Sequence, residues 1–378
     1  MSRGVRAAHI RIATALFAGL GGQVGLWVVL IPELVAARGL SAGELGVALG
    51  VMAATSILSL IAAGRVIDRV GRRPLACAGA AGMGAAIVLL GLVEASWALL
   101  PTVAVYGLAN GMLDLGANTI GADVEREHGE RVMIRLHAGF SGAAAALALI
   151  TSVALTAGAG HRALYVAGGA ALVALALVVA RAPLPSHVRV EHEDAPPGAL
   201  LHLPGVVTAL LLVTVCFLGD GAIEGYVPLY LRDLLGAGAL LTGIGVAAFH
   251  SASLVGRLTA ARAQARLGER GLITASGAGA CVGMLLVVLA EAPWLAAVGL
   301  LVVGMSLAPV VPTALSVAGR ADPRRAGAAV SLVTTVGYSA FVVGPPAVGA
   351  LADATSLRTA LVPVVATTAA LALIARRL

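Results

Sequence analysis

Lysine is absent from this chain of 378 residues, whose 25 basic residues are all arginine. That absence reads as a genomic base-composition bias, not as a device. Charge of either sign is scarce. Only 12% of residues are charged, against roughly 25% in soluble domains, and so large a deficit excludes an ordinary globular enzyme. Aromatic residues make up 3%, too few for extensive stacking on a sugar ring. Cys77, Cys216 and Cys281 each lie inside an apolar run, with neither metal-ligand nor disulfide-framework spacing, and read as packed thiols. There is no nucleotide-binding motif, and no nucleophile–base pair or metal cluster at recognisable spacing, so no enzyme activity, cofactor or metal is expected. The net charge of +6 comes from small arginine clusters separated by apolar runs, which argues against nucleic-acid binding.

What is abundant is apolar sequence, 59% of the chain. It falls into runs of about 20 residues, the length that spans ~30 Å of hydrocarbon as a helix. Twelve spans are predicted: 12–36, 43–63, 75–93, 97–121, 136–157, 163–180, 204–231, 241–261, 272–290, 295–318, 327–351 and 358–374. The first continues well past signal-peptide length, so no cleavable signal is expected. The expected fold is an all-α integral membrane protein of two six-helix bundles, 1–180 and 204–378. A polar, proline-containing linker at 181–203 joins them, and its histidines His187, His192 and His202 match no metal spacing.

Charge bias sets the orientation. With both termini in the cytoplasm, the inner segments hold 21 arginines, Arg257 among them, and the outer segments hold only Arg38, Arg162, Arg232 and Arg358. Such an excess over short loops is the positive-inside signal.

The halves repeat. Gly64-Arg65 after the second span recurs as Gly256-Arg257 after the eighth, and Pro32 has a counterpart in Pro228. Arg69-Val70-Gly71-Arg72 returns as Arg266-Leu267-Gly268-Glu269. Parallel six-helix halves, with the substrate site between them, are a plan of secondary transporters. The densest charge lies at Gly64–Pro74, where Arg65, Asp68, Arg69, Arg72 and Arg73 are too polar for lipid and imply a short wet turn.

Gly64, Asp68, Arg69, Gly71, Arg72 and Arg73 together form a pattern similar to the signature of the major facilitator superfamily, in its position between spans two and three. His137-Ala-Gly-Phe-Ser, Gly219-Asp-Gly-Ala-Ile-Glu and Gly344-Pro-Pro-Ala-Val-Gly resemble one branch of it. That branch holds bacterial inner-membrane proteins of mostly unassigned substrate, distantly related to fucose permease. The drug–proton antiporters of the superfamily carry an arginine in span four that is absent here, which weakens a multidrug-efflux reading. The resemblance implies a monomeric, multi-pass transporter of the bacterial cytoplasmic membrane, symporter-like, whose partners are the bilayer, a small solute and protons. A non-transporting receptor on the same fold is the alternative from another class. The resemblance also implies that Asp68 latches a cytoplasmic gate against the start of span eleven, near Arg324–Gly327. The prolines of Gly344-Pro345-Pro346 are expected to break that span and let it bend during gating.

Asp114, Asp220 and Glu224 are the acids placed inside spans. A carboxylate at membrane depth costs on the order of 3 kcal/mol on insertion scales, so it normally faces a cavity and has a role. Asp220 and Glu224, four apart, share a helix face among three glycines and a proline, and are candidate proton carriers together with Asp114; Arg232 is the pairing alternative for the first two. Asn110, Asp114 and Asn118 form a polar stripe at four-residue spacing, and Arg135 stands near enough in sequence to pair with Asp114. Gln23, Trp27, Tyr106, Phe140, Tyr226, Tyr338 and Phe341 are candidate solute contacts, and His250 is a candidate relay. His137 sits close to the membrane surface.

The gate reading predicts that Asp68→Asn shifts the resting population toward inward-open and slows turnover while substrate affinity barely changes. Labelling of cysteines introduced on the cytoplasmic side reads this out, and equal labelling of variant and wild type counts against it.

Overall fold

The computed structural model describes residues 3–93, 95–129, 132–186 and 197–378. Among these no strand occurs, and eleven helices are long and apolar enough to cross a membrane. In order they are α1 (Arg3–Arg38), α2 (Ala42–Val70), α3 (Arg72–Leu92), α4 (Leu99–His128), α5 (Met133–Thr156), α6 (His161–Arg181) and α7 (Pro204–Leu229). There follow a 50-residue helix, Ala239–Val288, then α10 (Pro293–Ala321), α11 (Ala326–Ala354) and α12 (Leu357–Ile374).

The 50-residue element is two spans. A straight helix of that length would run about 75 Å, more than twice the hydrocarbon thickness. Gly268, at φ 68° and ψ 174°, interrupts it and divides it into α8 (239–267) and α9 (269–288). Gly256 of α8 lies against Met305 of α10, and Gly279 of α9 lies against the next residue, Ser306. Farther along, Phe249 of α8 meets Gly304 while Gly283 meets Val303 and Gly299, so the two arms run antiparallel beside α10. The chain therefore makes twelve crossings.

Contacts divide the chain into two compact units, Met1–Leu40 with Val51–Arg189, and Ser41–Gly50 with Val190–Leu378. The first turns of α2 thus pack with the second unit. There, Ser41 Oγ and Gly43 N donate to Asp353 Oδ2 at 2.7 and 2.9 Å, and Tyr226 Oη donates to the Ala42 carbonyl. Of the predicted linker 181–203, residues 187–196, with His187 and His192, lie outside the described residues; His202 is exposed.

In the first unit, α1 and α5 approach closely enough that a Cβ on Gly21 or Gly25 would collide with the Phe140 and Ala144 carbonyls. Gly21 and Gly25 thus serve backbone contact. Tyr165 of α6 is fully buried.

The expected wet turn at Gly64–Pro74 is shorter than its charge content implies. α2 continues to Val70, and Gly71 alone separates it from α3, at φ 87° and ψ 158°. Gly64, Arg65, Asp68 and Arg69 are thus exposed positions on the last two turns of a helix. Gly71 and Gly268, equivalent in the sequence repeat, take the same left-handed conformation, which a side chain would strain.

The residues that follow these glycines carry an inverted ion pair. Arg72 is buried and pairs with Asp123 near the end of α4, and it also donates to the Pro185 carbonyl at 3.1 Å. Arg126 adds a second contact to Asp123 at 2.7 Å, and Arg73 donates to the Ala180 and Ala182 carbonyls at 3.3 and 2.7 Å. In the second unit Glu269 follows Gly268 and accepts from Arg320 near the end of α10, at 2.5 Å. Residues 72 and 123 lie 197 positions before 269 and 320, so the pair is kept with its signs exchanged. Asp123, 3% exposed, lies in the last turns of α4.

Two of the four outer arginines act as helix caps. Arg38 donates to the Leu90 and Val93 carbonyls at the end of α3, and Arg358 donates to the Val288 and Ala290 carbonyls at the end of α9. Each satisfies carbonyls that a helix end leaves without partners. A further correction concerns Gly344-Pro345-Pro346, which was expected to break α11: the helix runs through both prolines. α7 ends instead in a π turn, Tyr230–Leu234, just beyond Pro228.

Breaking the buried pair should cost far more than breaking the exposed one. Asp123→Ala leaves Arg72 uncompensated, at about 3–5 kcal/mol. Glu269→Ala acts on a pair that is 58% and 31% exposed and should cost below about 1 kcal/mol. Thermal unfolding in detergent separates the two, and equal shifts would refute the asymmetry.

Candidate functional site

In the first unit Tyr106, Asn110, Asp114 and Asn118 share one face of α4, each four residues from the next. Tyr106 Oη donates to Gln23 Oε1 of α1, and the Trp27 ring lies 5.8 Å from that of Tyr106, tilted by 33°. All three side chains are buried, at 4–6% exposure. One turn on, Asn110 Nδ2 donates to Ser56 Oγ of α2 at 3.0 Å. Asn118 Nδ2 donates to both the backbone carbonyl and Oδ1 of Asp114, each at 2.9 Å. The structure thus gathers Gln23, Trp27, Tyr106, Asn110, Asp114 and Asn118 into one polar strip that two aromatic rings close at one end. Arg135 is exposed and forms no ion pair with Asp114, whose partner is Asn118. His137 stands apart, packed edge-on against Phe17 at 4.9 Å.

The second unit holds the stronger charge. Asp220 and Glu224 stand one turn apart on α7, and both interact electrostatically with Arg257 of α8. Cys216 Sγ is 3.9 Å from Asp220 Oδ2, while Asp220 Oδ1 is buried with no hydrogen-bond partner. His250, two turns before Arg257, is 3% exposed; its Nε2 is likewise buried and unpartnered, and its ring meets Phe249 at 5.2 Å. Beside the carboxylates, Phe217 of α7 stacks on Tyr338 of α11 at 5.1 Å and touches Phe341 at 5.0 Å. Against a sparse aromatic content, three rings meet at one place.

Tyr226 has a different surrounding. It is fully buried, and its hydroxyl is committed to the Pro345 and Ala42 carbonyls at 2.7 and 3.1 Å, the geometry of a packing pin between α7, α11 and the first turn of α2.

Two features escaped the reading of the sequence. Arg257 was counted with the cytoplasmic arginines, yet it belongs to the interior of α8, where it interacts electrostatically with two acids. The signal was available: Arg257 precedes the helix-breaking Gly268 by three turns. The second is a group of three side chains at the ends of α1 and α4, His9, Glu127 and His128, whose ligand atoms all lie within 4.8 Å of one another. No metal group was expected, because one member is over a hundred residues from the other two.

Two bundles of helices, acids facing one arginine inside a span, and a repeated glycine turn are a transporter's parts. The sequence model of the family described as Major Facilitator Superfamily matches residues 12–345. The chain belongs to the major facilitator superfamily. It is a multi-pass membrane transporter of that superfamily, and its relatives agree. It is 29% identical over 353 residues to the membrane protein MosC of Rhizobium meliloti, covering 92% of this chain and 84% of that protein. It is 28% identical over 341 residues to an uncharacterised transporter of Sinorhizobium fredii, with 89% of each chain covered. Among solved structures it is similar to a mutant of the nucleoside transporter NupG, with a TM-score of 0.83 at 11% identity and 98% and 99% of the chains covered. It is also similar to a bacterial homologue of the human lysosomal transporter Spinster, with a TM-score of 0.81 at 14% identity and 100% and 98% covered. At such identities the structures show the superfamily fold alone.

If Arg257 compensates the two acids, Arg257→Leu alone should destabilise the protein by on the order of 3 kcal/mol. Combining it with Asp220→Asn and Glu224→Gln should recover most of that loss. Thermal unfolding of the single and triple variants checks the coupling, and strictly additive losses would refute it.

Proposed function

We propose that this chain is a secondary active transporter of a small solute, working by alternating access and coupled to protons through Asp220 and Glu224. The observation that carries the reading is the charge balance on α7 and α8. One arginine faces two carboxylates, so the group is neutral when it holds one proton and carries a net negative charge when it does not. A group whose charge changes inside a helix bundle changes the free energy of every conformation that exposes it differently to water. The proton is therefore a ligand that selects between conformations. Asp114, neutralisable and tied to Asn118, is the reserve carrier in the first unit.

The solute contacts in this reading are polar and aromatic groups of both units. Gln23, Trp27, Asn110 and Asn118 serve in the first unit, Tyr338 with Phe217 and Phe341 in the second, and His250 offers its free nitrogen. The six-helix halves, 1–180 and 204–378, move as bodies, and Asp68 with the arginines around Gly71 latches the cytoplasmic side. The protein works as a monomer in the bacterial cytoplasmic membrane with both termini inside, as its arginine distribution supports.

The test begins with a thermal-shift screen of small metabolites on purified protein. Compounds that stabilise it are then assayed for flux in proteoliposomes, in both directions, under an imposed pH gradient. Gradient-driven accumulation should fall at least about tenfold in Asp220→Asn or Glu224→Gln, the size of effect expected when a coupling group is removed, while solute exchange without a gradient persists. Accumulation unchanged in both variants overturns the proton role. Binding without flux in the wild type replaces the transporter reading with a receptor.

A further inference from the structure

We infer that His9, Glu127 and His128 bind a divalent metal ion of the zinc class where the start of α1 meets the end of α4. The site lies wholly within the first unit and has no part in the transport chemistry proposed above. His9 Nδ1 stands 3.2 Å from His128 Nε2 and 3.7 Å from Glu127 Oε1. In a tetrahedral site with bonds of ~2.0–2.1 Å the ligand atoms are about 3.4 Å apart. The two separations bracket that edge length and the third is within 4.8 Å, so side-chain adjustment alone brings the three ligands around one ion.

The chemistry agrees with the spacing. Two imidazoles and one carboxylate form a zinc donor set that leaves a fourth position open, and with neutral imidazoles the set carries one negative charge toward a dication. The carboxylate is oriented from behind, because Glu127 Oε2 accepts from the Ser186 backbone N–H at 2.6 Å. A partner beyond the ligand that fixes its direction is what metal sites use to hold their geometry. His9 is 4% exposed, so its ring is already confined. The nearby cation Arg126 contacts Asp123 at 2.7 Å. The alternative is a hydrogen bond between the two rings, which calls for no metal.

The full-length protein, with any affinity tag removed, is titrated in detergent with Co2+ and then with Zn2+. One equivalent of Co2+ should give the intense visible absorption of a tetrahedral site, and Zn2+ should abolish it. His9→Ala and His128→Ala should each lose the signal, and Glu127→Gln should weaken binding by about 10–100-fold through the lost charge. His202→Ala serves as the control and should bind as the wild type does. In parallel, Zn2+ should raise the unfolding temperature of the wild type and leave that of His128→Ala unmoved, with the two proteins equally stable in chelator. Absence of tetrahedral absorption in the wild type, or full binding by His9→Ala or His128→Ala, overturns the site. Should His9→Ala not fold, His9→Gln and His128→Ala carry the same decision.

Discussion

A charge placed among apolar helices must meet its opposite, because lipid offers it no other partner. In this transporter that requirement is met at a small number of points, and the helices are arranged around them. Arg257 meets Asp220 and Glu224, Arg72 meets Asp123, and Arg38 and Arg358 meet the exposed carbonyls of two helix ends. The surrounding contacts are mostly glycine and alanine against backbone, which bring helices together without directing them. The charged contacts supply the direction. They decide which helix face turns inward and where a helix must end.

The points differ in kind. Asp123 is buried and meets both Arg72 and Arg126, and Arg72 donates as well to the Pro185 carbonyl. Arg257 faces two acids, and Asp220 keeps a buried oxygen with no hydrogen-bond partner. A satisfied polar network rigidifies, whereas a buried polar atom left without a partner is costly. The two sets of charges are thus unequally satisfied. The aromatic group of Phe217, Tyr338 and Phe341 lies next to the second set.

Much of the fold was legible in the sequence, because hydrophobic run length reports membrane crossing almost directly. Twelve runs correspond to twelve crossings, even where two of them form one continuous element around Gly268. The polar stripe of α4 was legible too, since Asn110, Asp114 and Asn118 recur at helical spacing. What could not be read was any pairing that depends on tertiary contact. Arg257 looked like one more cytoplasmic arginine because local sequence does not say which helix faces it. Asp123 was not singled out because α4 continues for two turns past the apolar run. Pro345 and Pro346 suggested a break, but a helix packed against neighbours tolerates lost hydrogen bonds that an isolated one does not. His9 and His128 are 119 residues apart and were never compared.

The exchanged signs of the Arg72–Asp123 and Glu269–Arg320 pairs bear on how such a chain can be recombined. If both halves descend from one ancestral unit, their tightest turns no longer accept each other's parts. A segment 64–74 grafted into the second half would bring an arginine against Arg320, and the reverse graft would set Glu269 against Asp123. Each half repels the other's spare part at the turn where a crossover between repeats would join them. Two stretches that still share a glycine and a backbone shape thus differ in the sign of the charge that follows the glycine.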